Sequence, residues 1–256
     1  MSSLKLPSPG NIDLWQIHIP DLMPDLQALE PLLSPDEKAR AYRFKFPVHR
    51  DRFIITHAIL RKLLGHYTRI SPEKLNFCLG PKEKPFLQSN KENLQFNLSH
   101  SGDFILIAVT KDADIGVDIE QIRTDIDVGI AERFFHANEK NYIAGLTDTE
   151  KAAVFFRFWA GKEAILKMTG KGLSGSLADF FIDPLQDLQS VMLADGDVCR
   201  LAFVAASLDY MAAVACSVDF QHIRRGQWTM RCRGRDRGTT RATSLKMDKK
   251  YLIFRI

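Results

Sequence analysis

The chain has 256 residues, 45% apolar and 26% charged, a composition that suits a globular protein with a sizeable core. Its four cysteines form no C-x-x-C pair, and neither a run of ~20 apolar residues nor a signal-peptide pattern is present, which excludes a disulfide framework, a membrane span and a targeting segment and predicts a cytoplasmic protein. The net charge of +4 is uneven, because residues 221–256 carry eleven Lys/Arg and two Asp/Glu while the rest carries −5, so a basic nucleic-acid footprint spread over the fold is also excluded.

Short apolar or alternating runs predict seven strands, and longer runs at helical spacing predict five helices. In chain order these are strand Leu14–Ile19, helices Ser34–Tyr42 and His49–Tyr67, strands Leu94–Leu98, Phe104–Thr110 and Ile115–Glu120, helices Val128–Phe135, Ala137–Leu146 and Thr149–Met168, and strands Ser190–Leu193, Leu201–Ala205 and Met211–Val218. The mixture is an α+β pattern.

The chain also resembles itself weakly at an offset of 106 residues, which places Ala58–Arg61 over Ala164–Lys167 and Asp103 over Asp209. Chance matches of short apolar runs are common, so a duplication and a coincidence both stay open. A duplication predicts two similar halves, residues 1–112 and 113–222, followed by a basic tail, 223–256. A crevice between two packed halves is a common place for a ligand.

Two acidic side chains alternate along the strand Gly116-Val117-Asp118-Ile119-Glu120. Asp118 and Glu120 then share one face, while Val117 and Ile119 share the other. Neighbouring carboxylates repel unless a cation neutralises them, and paired oxygen ligands suit Mg²⁺. The alternative interpretation is a solvated strand face, which is the commoner meaning of a lone D-x-E.

The predicted helix around Phe158–Lys167 places Trp159, Glu163 and Lys167 at positions i, i+4 and i+8, on one continuous face. Alone, this pattern is also typical of an ordinary amphipathic helix with a surface ion pair. The string Gly161-Lys162-Glu163 is not a phosphate-binding P-loop, because that motif needs an earlier glycine and a hydroxyl after the lysine.

A third polar segment, Phe96-Asn97-Leu98-Ser99-His100-Ser101-Gly102, ends a predicted strand. Its glycine allows backbone to approach a ligand, and its hydroxyls and imidazole can bind one. The same side chains can instead satisfy backbone groups of a turn.

Together the three segments resemble the motifs N-[IL]-S-H-S, G-[IV]-D-[IV]-E and W-x-x-K-E-[AS]-x-x-K of 4′-phosphopantetheinyl transferases of the surfactin-synthetase type. The resemblance runs from about Leu14 to Phe220 and includes Lys84-Pro85 and the basic region around Arg40, Arg43 and Arg52. It implies a monomeric α+β fold of two pseudo-twofold-related halves with coenzyme A between them. The substrates would be coenzyme A and a serine of an apo acyl or peptidyl carrier protein.

The resemblance also implies roles for individual residues. Asp118, Glu120 and Glu163 would hold Mg²⁺, and Glu163 and Lys167 would be catalytic, with Glu163 the candidate general base. Coenzyme A would contact Arg40, Arg52, Lys84, Ser99, His100, Lys162 and Lys167. Arg40 is a looser match, because the position three residues before it, usually lysine, is Glu37.

The basic tail has no counterpart in this resemblance. Its Arg-Gly repeats, such as Arg231-Cys232-Arg233-Gly234-Arg235, predict a disordered, dispensable extension that attracts acidic carriers. Trp228 and the closing Tyr251–Phe254 are apolar exceptions that leave a short docked strand open. Two rival functions are a metal-dependent phosphodiesterase or nuclease and a nucleic-acid-binding module that uses the tail; the charge of the body argues against binding to nucleic acid.

Overall fold

The structure, a computed structural model, describes residues 5–80, 84–88, 90–127, 129–172, 176–231 and 242–253. Its helices are α1 (Leu26–Leu29), α2 (Pro35–Ala41), α3 (Pro47–Thr68), α4 (Ile130–Phe134), α5 (Ala137–Ala144) and α6 (Asp148–Thr169). Its strands are β1 (Asn11–His18), β2 (Phe77–Leu79), β3 (Pro85–Leu87), β4 (Leu94–Ser101), β5 (Phe104–Lys111), β6 (Ile115–Gln121), β7 (Leu188–Met192), β8 (Val198–Phe203), β9 (Tyr210–Cys216), β10 (His222–Arg231) and β11 (Ala242–Ile253). Short 3-10 helices cover Ile19–Asp25, Glu30–Leu32 and Pro72–Lys74.

The N-terminal half is built on a five-stranded sheet in the order β11-β10-β1-β5-β4. Helix α3 packs on this sheet and shares a buried core with it that includes Trp15, Ile59 and Leu63. The helix ends where Arg69 adopts a left-handed backbone conformation, at a φ of 59°. Ahead of it, Ser34 and Glu37 form a capping box that starts α2.

The C-terminal half is built on a four-stranded antiparallel sheet in the order β6-β9-β8-β7. Helix α6 packs against it through a second core that includes Phe158 and Ile165. Gly116 of β6 permits this close packing, since a Cβ built there would lie 2.0 Å from the carbonyl oxygen of Ala164. The helix ends at Gly170, whose φ of 65° is left-handed.

The two halves repeat one arrangement, since β1-β5-β4 in the first corresponds to β6-β9-β8 in the second. Matching backbone hydrogen bonds, both 2.8 Å long, run from Ile19 to Asp103 and from Ile122 to Asp209. Asp103 and Asp209 are 106 residues apart, the offset seen in the sequence. The prediction of an α+β fold with two similar halves is therefore confirmed.

A third core lies between the two sheets, where Leu14 and Leu106 of the first half meet Val117 and Val214 of the second. Strands β4 and β6 each lie at the edge of their sheet. Side chains of β4 form hydrogen bonds to β6 across the junction between the two sheets, and this brings two of the three polar segments together.

The prediction that the chain is disordered from residue 223 is wrong for residues 223–228. This segment forms part of β10, which pairs in parallel with β1, and Ile223 and Trp228 are 0% and 3% exposed. Arg224 also pairs with the buried Asp13. The composition predicted disorder because this segment has few apolar residues, but both Ile223 and Trp228 are buried.

The backbone of β11 pairs with β10, and Tyr251, Leu252 and Ile253 lie opposite Arg224, Ile223 and His222, as the alternative of a closing strand expected. Three parts of the predicted elements, Val128, the Arg-Gly repeats within 232–241 and Phe254, lie outside the described residues. Among the described helices, none is both long and apolar enough to cross a membrane.

Candidate active site between the two halves

The carboxylates of β6 lie where this edge strand runs beside β4. Asp118 and Glu120 share one face of β6, as the alternation predicts. Ser99 Oγ donates a hydrogen bond to Asp118 Oδ1 at 2.8 Å, and Ser101 Oγ donates one to Glu120 Oε2 at 3.1 Å. Asp118 is almost fully buried, at 2% exposure, so this face is an internal site and not a solvated strand edge.

Helix α6 brings a lysine and a third carboxylate to the same place. Lys167 Nζ lies 2.6 Å from Asp118 Oδ1 and donates to Ser99 Oγ at 2.9 Å. Glu163, one helical turn earlier, lines a cavity of about 200 Å³ together with Lys167 and Lys84. The three polar segments of the sequence thus converge, as expected.

Burial raises the pKa values of all three carboxyl groups above their ordinary range. For Asp118 the charge of Lys167 opposes this effect. Burial and then the charge of Asp118 raise the pKa of Glu120 to about 7. Burial also raises the pKa of Glu163, with Lys167 opposing and Asp118 adding to the shift. A positive ion close to these groups would favour their charged forms.

The donor set suits a hard divalent cation such as Mg²⁺, whose preferred ligands are carboxylate oxygens. Asp118 Oδ2 is buried and has no hydrogen-bond partner within the described part of the chain, so this oxygen is free to bind an ion. The carboxylates of Asp118, Glu120 and Glu163 are therefore the type of ligand that Mg²⁺ prefers. No three His, Cys, Asp or Glu side chains of the described residues are already close enough together to form a metal-binding group.

Lys162 does not contact this site, and its prediction as a coenzyme A ligand is wrong. Its side chain is fully buried, and Nζ lies 2.9 Å from Glu139 Oε2, which is equally buried. Nζ also donates to the carbonyl oxygens of Leu177 and Phe180, at 2.6 and 2.9 Å. The motif lysine therefore holds the interior of the C-terminal half together.

Lys84 and Ser99 lie at the site with their polar atoms already engaged. Lys84 Nζ donates to the carbonyl oxygens of Ile115 and Met168, at 3.2 and 2.9 Å, so it bridges β6 and the end of α6. Ser99 is 7% exposed, and its hydroxyl bonds to Asp118 and Lys167. Ser99 was predicted to bind coenzyme A, but its hydroxyl instead bonds to Asp118 and Lys167 and so helps to position these two charged groups.

The remaining predicted ligands are basic residues beside this cleft. The pKa of the His100 imidazole is lowered by burial first and then by the charges of Arg52 and Lys167, so these groups lie near one another. Arg40 is exposed on α2, and its guanidinium lies 5.5 Å from the centre of the Phe53 ring. The charges that act on the His100 imidazole thus come from both halves, from Arg52 on α3 and from Lys167 on α6.

Two residues of the third segment support the site in a way that the sequence alone does not predict. Asn97 Oδ1 accepts a hydrogen bond from the backbone N–H of Val117 at 2.9 Å. Ser101 Oγ accepts one from the backbone N–H of Gln121 at 3.0 Å. The signal was present, since Asn97, Ser99 and Ser101 alternate and so share a face, but a strand partner cannot be identified from alternation alone.

Comparison with known proteins agrees with this geometry. Residues 21–112 match the family described as 4′-phosphopantetheinyl transferase, N-terminal, and residues 114–215 match the 4′-phosphopantetheinyl transferase superfamily. The 4′-phosphopantetheinyl transferase HetI of Nostoc sp. is 40% identical over 66% of this chain and 76% of its own length. The transferase psf-1 of Bacillus pumilus is 35% identical over 65% and 70%, and Sfp of Bacillus subtilis is 28% identical over 73% and 84%.

The two family matches together cover both halves and every motif of the site. The rival interpretations, a nuclease and a nucleic-acid-binding module, receive no support from them. The chain therefore belongs to the 4′-phosphopantetheinyl transferase family, and it transfers the phosphopantetheine arm of coenzyme A to a carrier protein.

Proposed function

We propose that Asp118, Glu120 and Glu163 hold Mg²⁺ in the cleft between the two halves, where the pyrophosphate of coenzyme A binds beside Lys167. The observation that carries this proposal is the contact of Lys167 with both Ser99 and Asp118, at 2.9 and 2.6 Å. This contact supports the proposal because it places the Lys167 ammonium group next to Asp118, a buried carboxylate whose Oδ2 atom has no hydrogen-bond partner among the described residues.

In the reaction, the hydroxyl oxygen of the carrier serine bonds to the phosphorus atom of the phosphopantetheine arm, and the bond from this phosphorus to 3′,5′-ADP breaks. Glu163 would accept the serine proton, because its carboxylate lines the same cavity as Lys167, beside which the phosphates would lie. Lys167 offsets the negative charge of the phosphates that would repel the nucleophile. A bound Mg²⁺ supplies further charge neutralisation on the pyrophosphate and the leaving group.

The nucleotide end of coenzyme A then lies toward Arg52, His100 and Lys84, with Arg40 at the outer edge. Ser99 acts as a positioning residue, because its hydroxyl bonds to both Asp118 and Lys167. Lys84 is partly committed to two backbone carbonyls, so its contribution is charge and shape at the cavity wall.

We also propose an apo acyl or peptidyl carrier protein as the acceptor, a monomeric enzyme, and transfer in the cytoplasm. The described cysteines, Cys78, Cys199 and Cys216, are free thiols, in keeping with a reducing compartment. The two halves would meet between residues 112 and 113, in the turn that joins β5 to β6.

The proposal is tested by incubating the protein with coenzyme A, Mg²⁺ and an apo carrier and measuring the mass of the carrier. We expect the carrier to gain one phosphopantetheine arm, and a carrier whose serine is replaced by alanine to gain none. Asp118→Asn should abolish this gain while thermal unfolding stays cooperative, since asparagine keeps the size of the side chain and an acceptor for Ser99, and the Lys167 side chain that loses its partner is 29% exposed.

Asp112→Asn is the matched control, because Asp112 is exposed on the turn before β6 and asparagine tolerates its left-handed φ of 60°. This variant should transfer as wild type does. Wild-type transfer by Asp118→Asn, or full transfer without a divalent cation, would contradict the metal assignment.

A further inference from the structure

A carboxylate with a fixed charge lies between α2 and α3. Glu37 Oε2 accepts a hydrogen bond from Arg61 Nε at 2.6 Å, and Glu37 Oε1 lies 3.0 Å from His57 Nδ1. Burial alone would raise the pKa of Glu37, but hydrogen bonds from His57, Arg61 and the backbone N–H of Ser34 outweigh it and lower this pKa to about 2. Glu37 is therefore ionised at neutral pH and anchors the His57 ring by its Nδ1 atom.

The His57 ring is held from a second direction by an aromatic neighbour. It stacks on Phe53, with ring centres 3.9 Å apart and planes 24° from parallel. Arg40 lies over the same phenyl ring, at 5.5 Å. The His57 side chain is still 24% exposed, and within the described part of the chain its Nε2 atom makes no hydrogen bond. The ring therefore presents a fixed, unused nitrogen.

This nitrogen belongs to a group of basic side chains near the cleft. The charges of Arg52 and His57 both act on the His100 imidazole, whose pKa is lowered by burial and by these neighbours. Arg52 Nε is buried without a hydrogen-bond partner among the described residues. Such a group of cations with unused donors is suited to an anion of more than one charge.

Coenzyme A carries phosphate at two places, the pyrophosphate and the 3′-phosphate of its ribose. The proposed function, on which this inference rests, places the pyrophosphate at Asp118, Glu120, Glu163 and Lys167. The 3′-phosphate is then the one anion left for the basic group. We infer that His57 is a further specificity-determining residue: its doubly protonated ring donates Nδ1–H to the Glu37 carboxylate and Nε2–H to the 3′-phosphate, while the stack on Phe53 holds the ring in place.

The test compares the binding of coenzyme A and of 3′-dephospho-coenzyme A by isothermal titration calorimetry in the presence of Mg²⁺. The variant is His57→Asn, which retains a side-chain donor for Glu37 and removes Nε2. His66→Asn is the matched control, since it makes the same substitution in α3, nine residues farther along. We expect His57→Asn to weaken coenzyme A binding about tenfold, the scale of one charge-assisted hydrogen bond, and to leave the dephospho donor unchanged.

The ratio of the two affinities therefore falls about tenfold in His57→Asn and stays constant in His66→Asn. An unchanged ratio, whether both donors bind as before or both weaken equally, overturns the inference. Failure of the proposed function would look different, because wild type would then not bind coenzyme A, or Asp118→Asn would still transfer the arm to the carrier.

Discussion

Replacing Lys162 by methionine should lower the stability of the protein and leave its affinity for coenzyme A unchanged. The lysine and Glu139 are both 0% exposed and lie 2.9 Å apart, so the substitution leaves a carboxylate buried without its cation. Breaking one partner of such a pair costs about 3–5 kcal/mol of unfolding free energy. For a chain of this size that corresponds to a fall in Tm of about 6–20 °C.

Urea unfolding followed by circular dichroism measures this loss of stability, and calorimetric titration with coenzyme A measures the affinity for the ligand. Lys151→Met is the control in the same helix, because Lys151 pairs with an Asp148 that is 96% exposed, and such surface pairs contribute little to stability. A second substitution, Glu139→Gln, should restore much of the stability lost in Lys162→Met, since it removes the stranded charge. If Lys162→Met is as stable as wild type but binds coenzyme A weakly, the assignment of Lys162 to the interior is refuted.

Four further outcomes follow, three from charged groups and one from the strands that lie beyond His222. Glu120→Gln should abolish transfer but raise the unfolding free energy by about 1–2 kcal/mol at pH 8. The native pKa of about 7 lies above the ordinary value of 4.5, so ionisation of this buried carboxyl group destabilises the fold as the pH rises through that range. The gain in urea titrations should therefore vanish below pH 4.5. Glu37→Gln should lose about 3 kcal/mol at pH 7, and the deficit should shrink as the pH falls from 4.5 toward the native pKa of about 2. Arg224→Met should cost about 3 kcal/mol or more by stranding the fully buried Asp13, and truncation after His222 should remove cooperative thermal unfolding; a truncated protein with the wild-type Tm would contradict this.

The predicted strands and helices of the two halves could be derived from periodicity, and all twelve occur within a few residues of their predicted ends. The elements that were missed are short or atypical. β2 and β3 have three residues each, too few to show a period. β10 alternates poorly because Arg224 and Arg225 interrupt its apolar residues, and only the buried Asp13 explains why an arginine belongs there.

The carboxylates and Lys167 of the site could be predicted because a motif links residues far apart in sequence. The supports of the site could not, because they depend on which strands become neighbours. Ser101 binds Glu120, and Asn97 binds the backbone of Val117, across a junction between two sheet edges that no local pattern describes. The fixed position of His57 likewise depends on α2 meeting α3 at Glu37.

The two lysines of the W-x-x-K-E-x-x-x-K segment show that the sequence did contain the information to separate them. A helix turns 100° per residue, so Lys162 and Lys167, five residues apart, point about 140° away from each other. Phe158 and Ile165, at i−4 and i+3 from Lys162, are buried in the C-terminal core, so Lys162 must lie on the apolar face. Lys167 shares its face with Glu163 instead, which places it at the cleft. A buried lysine is tolerated there only because Glu139 meets it, and that partner, 23 residues earlier on α5, is the part that helical spacing cannot reveal.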